Sequence, residues 1–259
     1  MSAEQYDYLQ LLNKHERDSH ISFDEPTHVY TIDKDSDYMS VTTFNHSNFE
    51  CFDADKIINK MMSSKNWCNN KYYPKTKEEI LDIWEKNRID ASQKGTKMHL
   101  DIEKFYNKID VKNDSIEYEY FMNFHNDFNN VLLPWRTEMM IWDSDYKLAG
   151  SVDMIYKNRN EDTYSIYDWK RSKEIKKTSY NKWGKIACIS HIPDSNYWHY
   201  CLQLNTYKYI LEKNYGIKIR DMYLVCLHPE NKNNNYQHIK VVDLYNEVNE
   251  LLNLRKNSL

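Results

Sequence analysis

Three strand-length segments, residues 136–142, 148–156 and 163–169, follow one another with only short polar turns at 143–145 and 157–160 between them. β-branched and aromatic residues bounded by Asp, Asn and Ser mark each segment as a strand. Turns this short leave consecutive strands as antiparallel neighbours. A three-stranded meander is therefore the piece around which everything else must be arranged.

What surrounds it reads as mostly helical. Residues 1–16 form a short helix, and 28–32 and 39–43 two strands. Asp53 caps a helix reaching residue 62, in which Ile57, Ile58 and Met61 recur at helical spacing. Residues 65–75 are polar and aromatic, a loop. Thr76-Lys77-Glu78-Glu79 is a capping-box pattern opening a helix through Trp84. A second helix is expected over 91–106 and a third over 115–132, ended by Pro134. After the meander come a helix at 197–215 with Gly216 as its C-terminal cap, strands at 221–227 and 236–242, and a helix at 244–254. This order predicts an α/β (α+β) fold, a mixed central sheet flanked by helices. It also predicts two parts: a mainly helical lobe with a short strand pair over residues 1–90, and a core over 91–259.

The meander carries the chemistry. Residues two apart on a strand share a face, so Asp168 and Lys170 point one way and Trp169 the other, into packing. Asp153 ends Gly150-Ser151-Val152-Asp153 on the preceding strand, where its carboxylate can approach that of Asp168. Two carboxylates at one spot repel unless a cation neutralises them, and a hard ion such as Mg²⁺ prefers oxygen ligands. Such an ion lowers the pKa of bound water and neutralises phosphoryl charge. Lys170 can orient the water or stabilise the developing negative charge.

Each element has a plainer alternative. A lone Asp-x-Lys is common and is often a solvated ion pair. Glu138, one strand earlier, either completes a metal shell or faces solvent. His99 and Glu103 stand at i, i+4, as a metal-binding pair or as a helix-surface pair. Gln203 and Tyr207 share a helical face, either as rim and core or as hydrogen-bonding partners of a phosphate or base edge. From Lys170 through Arg171, Lys173, Lys176 and Lys177 to Lys182 and Lys185 the chain is dense in positive charge, with Tyr180 and Trp183 among the lysines. That stretch is either a solvated basic loop or a nucleic-acid track with stacking platforms.

Composition narrows the class. A net charge of −4 argues against a protein that coats nucleic acid, which is usually strongly basic. It leaves open an enzyme that grips a few phosphates through a local patch. Cys51, Cys68, Cys188, Cys201 and Cys226 are scattered without a C-x-x-C pair, so free thiols in a reducing compartment are expected. The N-terminus has no apolar signal region, and no apolar run approaches about 20 residues. A cytoplasmic or nuclear protein with no membrane span is expected.

Taken in order, His99, Glu138, Gly150-x-x-Asp153, Asp168-Trp169-Lys170 and Gln203-x-x-x-Tyr207 resemble the PD-(D/E)xK nuclease superfamily, and within it the RecB-like exonuclease branch. The likeness is specific over about residues 90–215. His28-x-Tyr30 and Ser40-Val41-Thr42-Thr43 are similar, more loosely, to the leader of some viral and phage members. The resemblance implies a restriction-endonuclease-like αβββαβ core. It implies a Mg²⁺- or Mn²⁺-dependent deoxyribonuclease, an exonuclease by branch, acting on single- or double-stranded DNA in recombination, repair or end processing. His99, Glu138, Asp153 and Asp168 would ligate metal together with the Trp169 carbonyl. Asp153, Asp168 and Lys170 would be catalytic, and Gln203 and Tyr207 would hold the strand beside Arg171, Lys173, Lys176 and Lys177. No helicase P-loop is present, so a motor or recombination protein would be a separate partner. The four-cysteine iron–sulfur cluster of several relatives does not match this cysteine spacing, and none is expected. A viral origin would place the protein in the host cytoplasm. The rival readings are a non-catalytic nucleic-acid-binding module on the same fold and a nuclease acting on RNA.

Overall fold

The computed structural model describes residues 7–259. In chain order it contains α1 (Tyr8–Leu12), β1 (Ile21–Asp24), β2 (Val29–Ile32), β3 (Met39–Ser40), α2 (Val41–Ser47), α3 (Ala54–Met62), α4 (Lys77–Tyr106), α5 (Ile116–Phe128), β4 (Leu132–Asp143), β5 (Leu148–Asn158), β6 (Tyr164–Lys170), α6 (Asn196–Asn214), β7 (Ile219–Cys226), β8 (Gln237–Lys240) and α7 (Tyr245–Lys256). The first helix occupies part of the span expected for it; residues 1–6 of that span lie outside the described residues.

The chain divides into two compact units. One holds the chain up to Glu50 and again from Met98 to Leu259; the other is Cys51–Lys97. This differs from the division expected at residue 90. The segment before Glu50 belongs with the sheet because β3 pairs with β5, and Val41, Phe44 and Phe49 join the main core.

The first unit is built on a mixed six-stranded sheet, ordered β3-β5-β6-β7-β8 with β4 also on β5. β4, β5 and β6 form the antiparallel meander. β7 returns parallel to β6 after the α6 crossover, as a parallel pair requires. α2, α6 and α7 cover one face, where Phe44, Leu211 and Leu251 pack with Ile141, Ile166 and Leu224. α5 and the end of α4 cover the other, where Ile102, Phe121 and Phe124 pack with Tyr156, Tyr167 and Trp169. Trp169 is 1% exposed, its ring 5.7 Å from Phe121 and 5.4 Å from Phe124. The expected inward turn of Trp169 is thus seen, and it leaves Asp168 and Lys170 on the α6 face.

Three local expectations are corrected. The strand expected over 39–43 is two residues long, because the Ser40 hydroxyl accepts the Thr43 N–H at 3.0 Å and caps α2. The two helices expected over 76–84 and 91–106 are one continuous α4. Ion pairs Asp82–Lys86, Glu85–Arg88 and Asp90–Lys94 lace the junction at helical spacing. Its capping box is formed as expected, Glu79 N–H on Thr76 Oγ1 at 3.2 Å and Thr76 N–H on Glu79 Oε2 at 2.7 Å. The helix expected over 115–132 stops at Phe128, and Pro134 lies inside β4 rather than ending a helix. Proline is tolerated there because β4 has only β5 as neighbour and the register slips between Pro134 and Arg136. Gly216 follows α6 with φ +65°, the left-handed cap expected of it.

The second unit holds α3, a 3₁₀ turn at Trp67–Asn69 within the expected loop, and α4 as far as Lys97. Among the described residues no helix is long and apolar enough to cross a membrane.

Candidate metal centre

β4 pairs with β5 along its whole length, so β3 and β6 must share the other edge of β5. β3 takes Leu148 and Ala149, and β6 takes the edge only from Met154 onward. Residues 150–153 lie in the gap between. Continuing the two registers puts Asp153 opposite Asp168 on one side and opposite Glu138 on the other. In the gap the Asp153 carboxylate replaces a backbone partner: its Oδ2 accepts the Trp169 N–H at 2.9 Å. Glu138 has φ +41°, a left-handed conformation costing a non-glycine residue about 1–3 kcal/mol. Ser151 Oγ donates to Glu138 Oε2 at 3.0 Å and fixes that side chain.

α4 brings in His99. Its Nε2 lies 3.0 Å from the Trp169 carbonyl oxygen, which only accepts, so Nε2 carries the proton of that bond. Nδ1 is thereby turned to Glu138 Oε1 at 3.4 Å and Asp153 Oδ2 at 3.6 Å. One ligand atom each from His99, Glu138 and Asp153 lies within 4.8 Å of the others. Burial works to lower the His99 pKa, but the Asp153 and Glu138 charges outweigh it and hold it at about 9. Burial, then Glu138, pushes Asp153 up against the pull of His99. Glu103, one turn beyond His99, rises to about 7 through burial and Glu138. Tyr30 of β2 is pushed up to about 12 by burial and by the charges on Glu138 and Asp153.

Asp168 and Lys170 stand beside this trio. Asp168 is 1% exposed; its Oδ2 is 2.6 Å from Lys170 Nζ, and its Oδ1 is buried with no donor. Burial, reinforced by Asp153 and opposed by Lys170, raises Asp168 to about 7. Burial acts to lower Lys170, yet Asp168 and Asp153 hold it above the ordinary lysine value. Its ammonium sits 4.7 Å from the Tyr200 ring centroid.

Four carboxylates thus face one lysine and one histidine, and protons hold the balance. An orphaned carboxylate oxygen, surplus negative charge and an imidazole Nδ1 aimed among the oxygens fit a hard divalent cation. His99, Glu138 and Asp153 are the converging ligands. Asp168 belongs to the neighbouring ion pair, and the Trp169 carbonyl is bonded to His99.

The expected nucleic-acid residues fare differently. Tyr207 is 3% exposed, and its hydroxyl accepts the Gln203 amide at 3.0 Å. Its ring lies on Gly150, where a Cβ would come 2.7 Å from Tyr207 Cε1. Tyr207 is therefore core and half-buried Gln203 the rim. Arg171 has a partner of its own: its Nε donates to Glu117 Oε1 at 2.7 Å with both side chains largely buried, which braces α5. Lys173 pairs with Glu230, Lys176 lies 3.4 Å from Glu174, and Lys177 rests 4.5 Å from the Tyr197 ring centroid. The loop is pinned to α6 by Asn196, which bonds Lys176 N–H and the Glu174 carbonyl, each at 2.8 Å. Tyr180 and Trp183 are exposed within it.

Sequence reasoning missed Tyr30, Ser151 and Tyr200 as members of the site. Ser151 lay inside the quoted Gly150–Asp153 run, and Tyr200 is found by carrying the Gln203–Tyr207 face one turn upstream. Tyr30 gave no signal beyond its place in His28-x-Tyr30. No protein-family model matches the chain, and no curated protein matches it either.

Proposed function

We propose that the chain is a Mg²⁺- or Mn²⁺-dependent deoxyribonuclease of the PD-(D/E)xK type, RecB-like and exonucleolytic, serving recombination, repair or end processing. The observation that supports this most is the convergence of His99, Glu138 and Asp153 within 4.8 Å, with Asp168 and Lys170 paired beside them. In this reading the run from α4 to β7 supplies the αβββαβ order, with α5 placed before the sheet.

His99 through Nδ1, Glu138 and Asp153 would hold the ion, while the Trp169 carbonyl orients His99 through Nε2 and Asp168 holds Lys170 beside them. Bound there, the ion would lower the pKa of a water and neutralise charge on the phosphoryl oxygens. Lys170, held by Asp168 and the Tyr200 ring, orients the attacking water and stabilises the charge developing on the phosphate. Asp168 keeps Lys170 charged. Gln203, braced by Tyr207, offers its amide to the strand.

The test is incubation with end-labelled single- and double-stranded DNA and RNA in Mg²⁺, Mn²⁺ or EDTA, beside Asp168→Ala and Lys170→Ala. Metal-dependent cleavage of linear DNA with sparing of circles is expected. Binding without cleavage favours the non-catalytic module, and preferential loss of RNA would move the substrate class.

A further inference from the structure

The second unit carries a lysine-rich stretch free of acidic residues. From Lys56 to Lys77 there are six lysines and no acidic residue. Lys77 pairs with Asp55 at 2.6 Å, and Lys71 sits 4.8 Å from the Tyr72 ring centroid. Lys56, Lys60, Lys65 and Lys75 are exposed, with no carboxylate in ion-pairing reach among the described residues. In the basic loop after Lys170, Arg171, Lys173 and Lys176 have acidic partners, while Lys177, Lys182 and Lys185 are exposed without one among the described residues. In a chain of net charge −4, six lysines with no acidic residue among them make this stretch locally basic.

Aromatic rings lie among these lysines. Trp84 is fixed by its Nε1–H on the Tyr72 hydroxyl at 2.8 Å, and Phe52, 70% exposed, rests against it at 6.0 Å. Tyr73 is 49% exposed and stands edge-on to Trp67 at 6.0 Å. Beside them is an open cleft of about 390 Å³ lined by Ile57, Lys60, Met61, Ser64, Asn66 and Asn70. Its chemistry is that of a nucleotide: apolar carbon for a base face, amides and a hydroxyl for base edges, and an ammonium for phosphate.

We propose that residues 51–97 form a single-stranded DNA-binding surface, with a base in the Ile57–Met61 cleft and the backbone tracked by Lys56, Lys60, Lys65 and Lys75. Unstacked bases suit exposed aromatics, and unpaired lysines gain by releasing the counterions of the strand. The proposal rests on the nuclease reading only in naming DNA as the polynucleotide.

The experiment is fluorescence anisotropy of a labelled single-stranded oligonucleotide with the full chain in EDTA, where cleavage is silent, across a salt series. Replacing Lys56, Lys60, Lys65 and Lys75 together by Gln should weaken binding about tenfold or more. It should also flatten the slope of log K against log salt by about 3. Tyr73→Ala, which changes no charge, should weaken binding about tenfold with the slope unchanged. Circular dichroism and thermal melting of both variants should match the parent, since every side chain replaced is exposed. Parent-like affinity and slope in the lysine variant would overturn the proposal, as would tighter binding of duplex, of single-stranded RNA or of polyglutamate. Loss of cleavage with this binding intact would sink the nuclease reading alone.

Discussion

Gly150→Ala probes how the sheet gap, α6 and the candidate metal centre are fitted together. Gly150 needs no unusual backbone angle; it is required for space. A Cβ there would meet Tyr207 Cε1 at 2.7 Å, Oη at 3.2 Å and Cζ at 3.3 Å. The ring cannot retreat easily, because Tyr207 is 3% exposed and its hydroxyl is bonded to Gln203. Overpacking of this kind costs about 1–3 kcal/mol. In a chain of this size about 2 kcal/mol lowers Tm by about 4–8 °C. Tyr207→Phe should not relieve the clash, since the closest approach is to a ring carbon. Tyr207→Leu should, so the double variant Gly150→Ala/Tyr207→Leu should be more stable than the sum of the single losses by about 1 kcal/mol or more. Denaturant unfolding of the four proteins measures this. Parent-like stability in Gly150→Ala, or strict additivity in the cycle, would refute the packing account.

Further outcomes follow from the same geometry. His99, Asp168 and Glu103 all have folded pKa values above their unfolded ones, at about 9, about 7 and about 7. Each contribution is fully present below the unfolded pKa and is lost as pH rises through the folded value. The contribution of these three groups to metal-free protein should therefore fall from about pH 4 to about pH 9, and a stability difference between parent and His99→Ala that grows with pH over that window would contradict the site's electrostatics. Mn²⁺ at about 100 times its Kd should add about 2.7 kcal/mol at pH 8, and Glu138→Ala with Asp153→Ala should abolish the shift in thermal melting. Arg171→Ala should act on stability rather than on DNA affinity. Leaving Glu117 unpaired in its largely buried site should cost about 3 kcal/mol, and a variant with parent stability but weakened DNA binding would restore Arg171 to the strand.

The meander was legible because its signals are local. Alternation and short turns locate β4, β5 and β6, and the same period places Asp168 and Lys170 together with Trp169 opposite. What was illegible depends on partners far away in sequence. Arg171 meets Glu117 from α5, and the share of one β5 edge between β3 and β6 opens the gap that no window of sequence reveals. Gly150 was visible as part of a pattern, but its reason, the Tyr207 ring, lies on α6. The two helices expected through Trp84 and over 91–106 are one because ion pairs Asp82–Lys86, Glu85–Arg88 and Asp90–Lys94 carry the helix across the residues between them. The unit formed by Cys51–Lys97 was hidden for a related reason: its boundary falls inside a helix, where composition does not change.

The central claim is that Asp168 and Lys170 act beside a divalent cation held by His99, Glu138 and Asp153. Its most direct measurement is the single-turnover cleavage rate of end-labelled linear DNA, in saturating Mg²⁺ and in excess EDTA, for the parent and for Lys170→Ala. The account predicts cleavage by the parent only with metal, slower by about 10²-fold or more in Lys170→Ala. A parent that is inert with both Mg²⁺ and Mn²⁺, or a Lys170→Ala protein that cleaves as fast as the parent, would contradict it.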